Sequence, residues 1–107
     1  MNLLCVCSEN RRRSATAEVV YSEYAGIEAI GAGTNKDAVN PISGDLIEWA
    51  DLILAMETQH REKISQKFRS QLKGKRLAVL AIPDRYEYMQ PELVRLLQAK
   101  LPKYINL

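Results

Sequence analysis

A cysteine, five intervening residues, an arginine and a serine form the stretch Cys7-Ser8-Glu9-Asn10-Arg11-Arg12-Arg13-Ser14. Those residue types at that spacing suit covalent chemistry on an anion. A loop leading from a strand into a helix turns several backbone N–H groups inward. Together with the positive end of the helix dipole, they make an anion cradle. Arg13 adds a planar fork that matches two phosphate oxygens. Thiolate is the attacking form of cysteine, and the same cradle favours that anion at Cys7. Beneath a bound phosphate the sulfur would attack phosphorus and form a thiophosphate, with the arginine balancing charge on the equatorial oxygens. The leaving oxygen then needs a proton. Asp84, in Ile82-Pro83-Asp84-Arg85-Tyr86-Glu87-Tyr88, is the candidate donor, and it would later take a proton from water. Tyr86 and Tyr88 could wall a flat substrate group.

The elements around these residues must bring them together. Leu3 to Cys7 is a short apolar run ended by polar residues, which reads as a buried strand. Residues 14–25 carry Ala17, Val20, Tyr21 and Tyr24 at helical spacing, with Ser14 at the N-cap position and Gly26 as the stop. Residues 27–32 predict a second strand, 33–44 a loop, 45–50 a helical turn and 51–56 a third strand. Residues 57–72 predict an amphipathic helix on Ile64, Phe68 and Leu72, stopped by Gly74. Residues 76–82 predict a fourth strand, 83–90 a loop, and 91–101 a closing helix with Pro91 in its first turn. Apolar strands alternating with helices imply an α/β fold: an open four-stranded parallel sheet, helices on both faces in three layers, and right-handed crossovers. Ligands in such sheets sit beyond the carboxyl ends of the strands. The first strand delivers Ser8 to Arg13 to that edge, and the fourth delivers Asp84.

Length and composition narrow the function classes. The 107 residues fit one domain spanning 1–107, with 47% hydrophobic and 26% charged residues, which excludes a disordered chain. No apolar run approaches the ~18 residues of a membrane span, and Met1 to Cys7 lacks the basic start of a secretory signal. The net charge of +2 comes from the three consecutive arginines, so the expectation is a local anion site rather than a nucleic-acid face. Two cysteines and one histidine are too few for a disulfide framework or a structural zinc site, so no metal is expected. Free thiols point to a reducing cytoplasm. His60 is expected in solvent on the polar side of its helix. Glu57 and Glu62 are expected on a solvated face, and Cys5 and Trp49 in packing roles.

Val6-Cys7-Ser8-Glu9-Asn10-Arg11-Arg12-Arg13-Ser14 resembles the phosphate-binding loop of low-molecular-weight protein tyrosine phosphatases, V-C-x-x-N-x-x-R-S. Ala17-Glu18 falls in that family's A-E position, and Ala32-Gly33-Thr34 is similar to its S-A-G-T. Residues 50–56 resemble its D-x-I-L-x-M strand, and Ile82-Pro83-Asp84-Arg85-Tyr86 resembles its acid loop. The resemblance implies the phosphatase, flavodoxin-like version of the sheet. It implies Cys7 as nucleophile, Arg13 as phosphate clamp and Asp84 as general acid. Asn10 would hold the loop in shape and Ser14 would stabilise the thiolate. Ser8, Glu9, Arg11 and Arg12 complete the loop around the phosphate, with Glu9 turned outward and the two arginines raising the local potential. The implied ligands are aryl phosphate or phosphotyrosine as substrate, and inorganic phosphate or sulfate in the loop, and no metal or organic cofactor is implied.

Departures from that pattern bear on the substrate. Arg85 stands where the family has proline, Arg12 stands where it has a second cysteine, and residues 33–44 hold no aromatic residue. Two further readings follow. One is a phosphate- or phosphoprotein-binding module of low activity. The other is an arsenate reductase, which would need external glutathione because no cysteine follows Cys7.

Overall fold

A computed structural model describes residues 1–106. The strands are β1 (Asn2–Cys7), β2 (Glu28–Gly33), β3 (Leu52–Ala55) and β4 (Arg76–Val79). The helices are α1 (Arg13–Ser22), α2 (Gly44–Trp49), α3 (Thr58–Lys67) and α4 (Pro91–Lys100), the last running into a 3-10 turn at Leu101–Lys103. All pairings are parallel and the order is β2-β1-β3-β4, so β1 is central and the strand order reverses beside it. This is the expected four-stranded sheet. None of the helices among the described residues is long and apolar enough to cross a membrane.

Alternation along β1 divides the core in two. Leu3, Cys5 and Cys7 pack with Ala17, Val20 and Tyr21 of α1 and with Leu93 and Leu97 of α4. Leu4 and Val6 pack with Ile47 of α2 and Ile64 of α3. A strand buried on both faces must be apolar, as β1 is from Leu3 to Cys7. Residues two apart on it then share a face, which puts Cys5 and Cys7 together.

Several element boundaries move. α1 begins at Arg13, and its N-cap is Arg12 with no side-chain cap. Ser14 is therefore not the cap, because its hydroxyl is engaged inside the loop. α3 ends at Lys67 rather than Leu72, where Phe68 leaves helical geometry and turns its ring into the core. β4 ends at Val79, but its pairing resumes: Leu80 N–H donates to Ala55 O and Ile82 N–H to Met56 O. Ala81 between them has φ +57°, a left-handed residue that bulges the strand. The bulge aims the Ile82 carbonyl and Asp84 toward the end of β1.

Glycines let the loop after β1 lie close on β2. A Cβ on Gly31 would stand 2.6 Å from Asn10 Oδ1 and 2.6 Å from the Ser14 carbonyl oxygen. A Cβ on Gly33 would stand 2.5 Å from the Ser8 carbonyl oxygen. Only glycine permits so close a backbone approach.

Candidate active site

The segment from Cys7 to Arg13 curls around the start of α1 at the carboxyl edge of the sheet. Asn10 takes φ +57°, which asparagine tolerates better than most residues, and this turns the chain back over the sulfur. Its N–H reaches Cys7 Sγ at 3.3 Å. Ser14 Oγ lies 3.0 Å from the same sulfur, 2.6 Å from Asn10 Oδ1 and 3.2 Å from the Ala32 carbonyl. A hydroxyl donates only once. For Ser14 to serve a thiolate, its hydrogen must turn to sulfur, and the Asn10 amide then presents its NH2 to the serine oxygen.

Arg13 is only 3% exposed, although it carries a charge. Its Nη1 donates to Glu57 Oε1 at 2.6 Å and to the Ile82 carbonyl at 2.8 Å. That leaves the Nε and Nη2 edge as the fork for an anion. Asp84 Oδ1 lies 3.8 Å from Arg13 Nε, with its side chain 63% exposed. The Arg13 guanidinium, through its hydrogen bond, holds the Glu57 carboxyl below its ordinary range.

A cavity of about 180 Å3 opens on this loop, lined by Cys7, Ser8, Glu9, Arg11, Arg12, Arg13 and Asp84. Asn10 and Ser14 stand behind the sulfur, buried. Glu9, Arg11 and Arg12 are exposed at the mouth. Glu9 lies 3.9 Å from Arg11, and Arg12 lies 3.8 Å from Glu87 on the acid loop. Tyr86 and Tyr88 are not among the lining residues. Tyr86 is buried in the α1/α4 core with the Arg85 guanidinium 5.5 Å from its ring centre, and Tyr88 stands in solvent.

Two residues at the site were not expected there. Glu57 is an ion-pair partner of Arg13 rather than a solvated charge. His60, also expected in solvent, is fully buried. Its Nδ1 accepts from the Glu57 N–H at 3.1 Å in a capping box at the start of α3, and its Nε2 lies 2.9 Å from Ser8 Oγ. Helical periodicity alone hides both residues. The signal available was position, since they open the helix that follows the buried third strand at the sheet edge holding Cys7.

No family model matches the chain, and no curated protein matches it in sequence. Solved structures do. A low-molecular-weight protein tyrosine phosphatase from Streptococcus pyogenes superposes with a TM-score of 0.77 at 14% identity, covering 98% of this chain and 93% of that one. The tyrosine phosphatase Wzb from Escherichia coli K30, in complex with sulphate, gives 0.75 at 20% identity over 96% and 94%. The YwlE arginine phosphatase, as a cysteine-to-serine mutant with a phosphorylated active-site serine, gives 0.69 at 22% identity over 99% and 98%. The chain thus has, over nearly its whole length, the fold of the low-molecular-weight protein tyrosine phosphatases.

Proposed function

We propose that the chain is a cysteine-dependent phosphomonoesterase acting on aryl phosphate, with protein phosphotyrosine as the leading substrate class. The observation that carries this reading is one cavity lined by Cys7, Arg13 and Asp84 together. The Cys7 thiolate attacks phosphorus, so the S–P bond forms as the bond to the leaving oxygen breaks. The free edge of Arg13 meets two equatorial oxygens, where charge builds in the transition state. Asp84 in its acid form gives the leaving oxygen a proton, then takes one from the water that hydrolyses the phosphocysteine. The phosphorylated serine of YwlE supports a covalent intermediate on this fold. Sulphate bound to Wzb supports inorganic oxyanions as ligands of the loop. A thiol nucleophile suits the reducing cytoplasm, where we place the chain.

The cavity walls favour a second substrate class. Its lining residues include no aromatic side chain, and beside Arg11, Arg12 and Arg13 they include two carboxylates, Glu9 and Asp84. Carboxylates at the mouth suit a cationic group next to the phosphate. Phosphoarginine carries such a group, and YwlE of this fold is an arginine phosphatase.

Hydrolysis of p-nitrophenyl phosphate, a phosphotyrosine peptide and a phosphoarginine peptide by wild type and Cys7→Ser tests both readings. Activity lost in Cys7→Ser supports the mechanism, and the two peptides rank the substrates. Full activity in Cys7→Ser overturns it. A wild type that binds vanadate without turnover is a phosphate-binding module. Arsenate-dependent oxidation of glutathione would make the chain an arsenate reductase.

A further inference from the structure

The hydrogen-bond roles of the His60 ring are fixed by its partners. A backbone N–H can only donate, so Nδ1, which faces the Glu57 N–H, carries a lone pair. Burial, and after it the Arg13 charge, push the His60 pKa down to about 4, so the ring is neutral near pH 7. The charged groups acting on it are Arg13 from α1, Glu57 and Lys63 from α3, and Asp84 from the loop after β4. A neutral ring with a lone pair on Nδ1 holds its hydrogen on Nε2. Nε2 therefore donates to Ser8 Oγ at 2.9 Å.

This direction decides what the serine can do. A serine beside a histidine suggests a nucleophile and its base, but a base would need its lone pair on Nε2. The tautomer runs the other way. Ser8 Oγ accepts, and its own hydrogen is left to turn elsewhere. Ser8 lines the cavity with Cys7 and Arg13.

We propose that His60 is a positioning residue whose Nε2–H fixes the Ser8 oxygen, so that the Ser8 hydroxyl donates to an oxygen of the phosphoryl group bound in the cavity. The inference rests on the phosphatase reading above and adds a side-chain donor to the site. It also assigns the first turn of α3 a second task. Glu57 holds Arg13 at one end of the phosphate loop, while His60 holds Ser8 at the other. One capping box grips both ends.

The test uses the full chain, inorganic phosphate as ligand, p-nitrophenyl phosphate as substrate and nitrogen-15 NMR of the imidazole. We expect His60 to show the Nε2–H tautomer. Ser8→Ala should weaken phosphate binding about tenfold and lower kcat/KM by about tenfold or more, at an unchanged melting temperature. Ser8→Thr should restore most of both. His60→Met should weaken phosphate binding, and adding Ser8→Ala to it should cost little more, because the two residues act as one unit. If His60→Met does not fold, the tautomer and the Ser8 pair decide. A hydrogen on Nδ1 overturns the proposal, as does a Ser8→Ala chain that binds phosphate as well as wild type. A wild type that binds phosphate but hydrolyses nothing overturns the phosphatase reading, and the Ser8 comparison then decides this proposal on affinity. A wild type that binds no phosphate overturns both.

Discussion

Arg13 Nη1 and Glu57 Oε1 stand 2.6 Å apart, and the arginine is buried while the glutamate reaches toward solvent. Removing the carboxylate leaves a buried cation with the Ile82 carbonyl and the more distant Asp84 carboxylate. Glu57→Gln retains a neutral acceptor, so the expected loss is about 1–2 kcal/mol of stability. The larger effect falls on kcat/KM, expected to drop about tenfold or more as the fork loses its orientation. Urea unfolding and p-nitrophenyl phosphate kinetics check both. Unchanged kinetics with reduced stability would confine Glu57 to a structural role.

Asp84 sits 3.8 Å from Arg13 Nε, on the edge proposed to take the phosphate. Asp84→Asn should therefore separate binding from turnover. On the proposed mechanism the leaving group loses its proton donor, so kcat should fall by about 10²-fold or more. The guanidinium loses a competing anion, so inorganic phosphate binds at least as tightly as in wild type. Inhibition constants for phosphate measured beside kcat read the two effects apart. Equal losses in both would mean that Asp84 only orders the loop.

Gly31→Ala tests the packing behind the sulfur. The new methyl would stand 2.6 Å from Asn10 Oδ1 and from the Ser14 carbonyl oxygen, so one of these residues must move. We expect a loss of about 1–3 kcal/mol and activity down by about tenfold or more, since both residues touch the Cys7 sulfur. Gly26→Ala is the control. Gly26 has φ +81° and open space around it, so alanine there strains the backbone and leaves activity intact. Melting curves and kinetics of the two variants make the comparison.

Acid should weaken the fold through His60. Its pKa falls from 6.5 to about 4 on folding, chiefly by burial. The unfolded chain therefore binds the proton first. The stabilisation is full above about pH 6.5, is lost as pH falls toward 4, and levels off below. The gap amounts to roughly 3 kcal/mol. Glu57, whose carboxyl is lowered, loses its contribution over the more acidic part of the fall. Urea midpoints between pH 7 and 4 should drop in wild type, and less in His60→Gln. A flat wild-type profile would show that the ring protonates without cost.

The sheet was legible in the sequence because each strand is a short apolar run set between polar turns and helical periodicity. The Cys7-to-Arg13 loop was legible because its parts are contiguous. Asp84 could be placed because the pairing of the fourth strand, resumed after Val79, runs on to Ile82. Glu57 and His60 escaped because their roles depend on partners 44 and 52 residues away. On a helix wheel they look like solvent-facing polar residues. Ser14 carried a true N-cap signature, but the sulfur, Asn10 and Ala32 compete for the same hydroxyl. Tyr86 and Tyr88 share a loop with Asp84, and spacing could not tell that one ring turns into the core and the other into solvent.

The capping box of α3 sets a trap for anyone making this protein more heat-resistant. Design practice favours serine, threonine or aspartate at a helix N-cap with glutamate three positions on. Rewriting Glu57 and His60 that way would keep a cap on α3, but it would strand the buried Arg13 and bury a carboxylate in place of His60. It would also remove the two side chains that tether the loop from Cys7 to Arg13. A screen scored on melting temperature and a screen scored on turnover would both discard that double change.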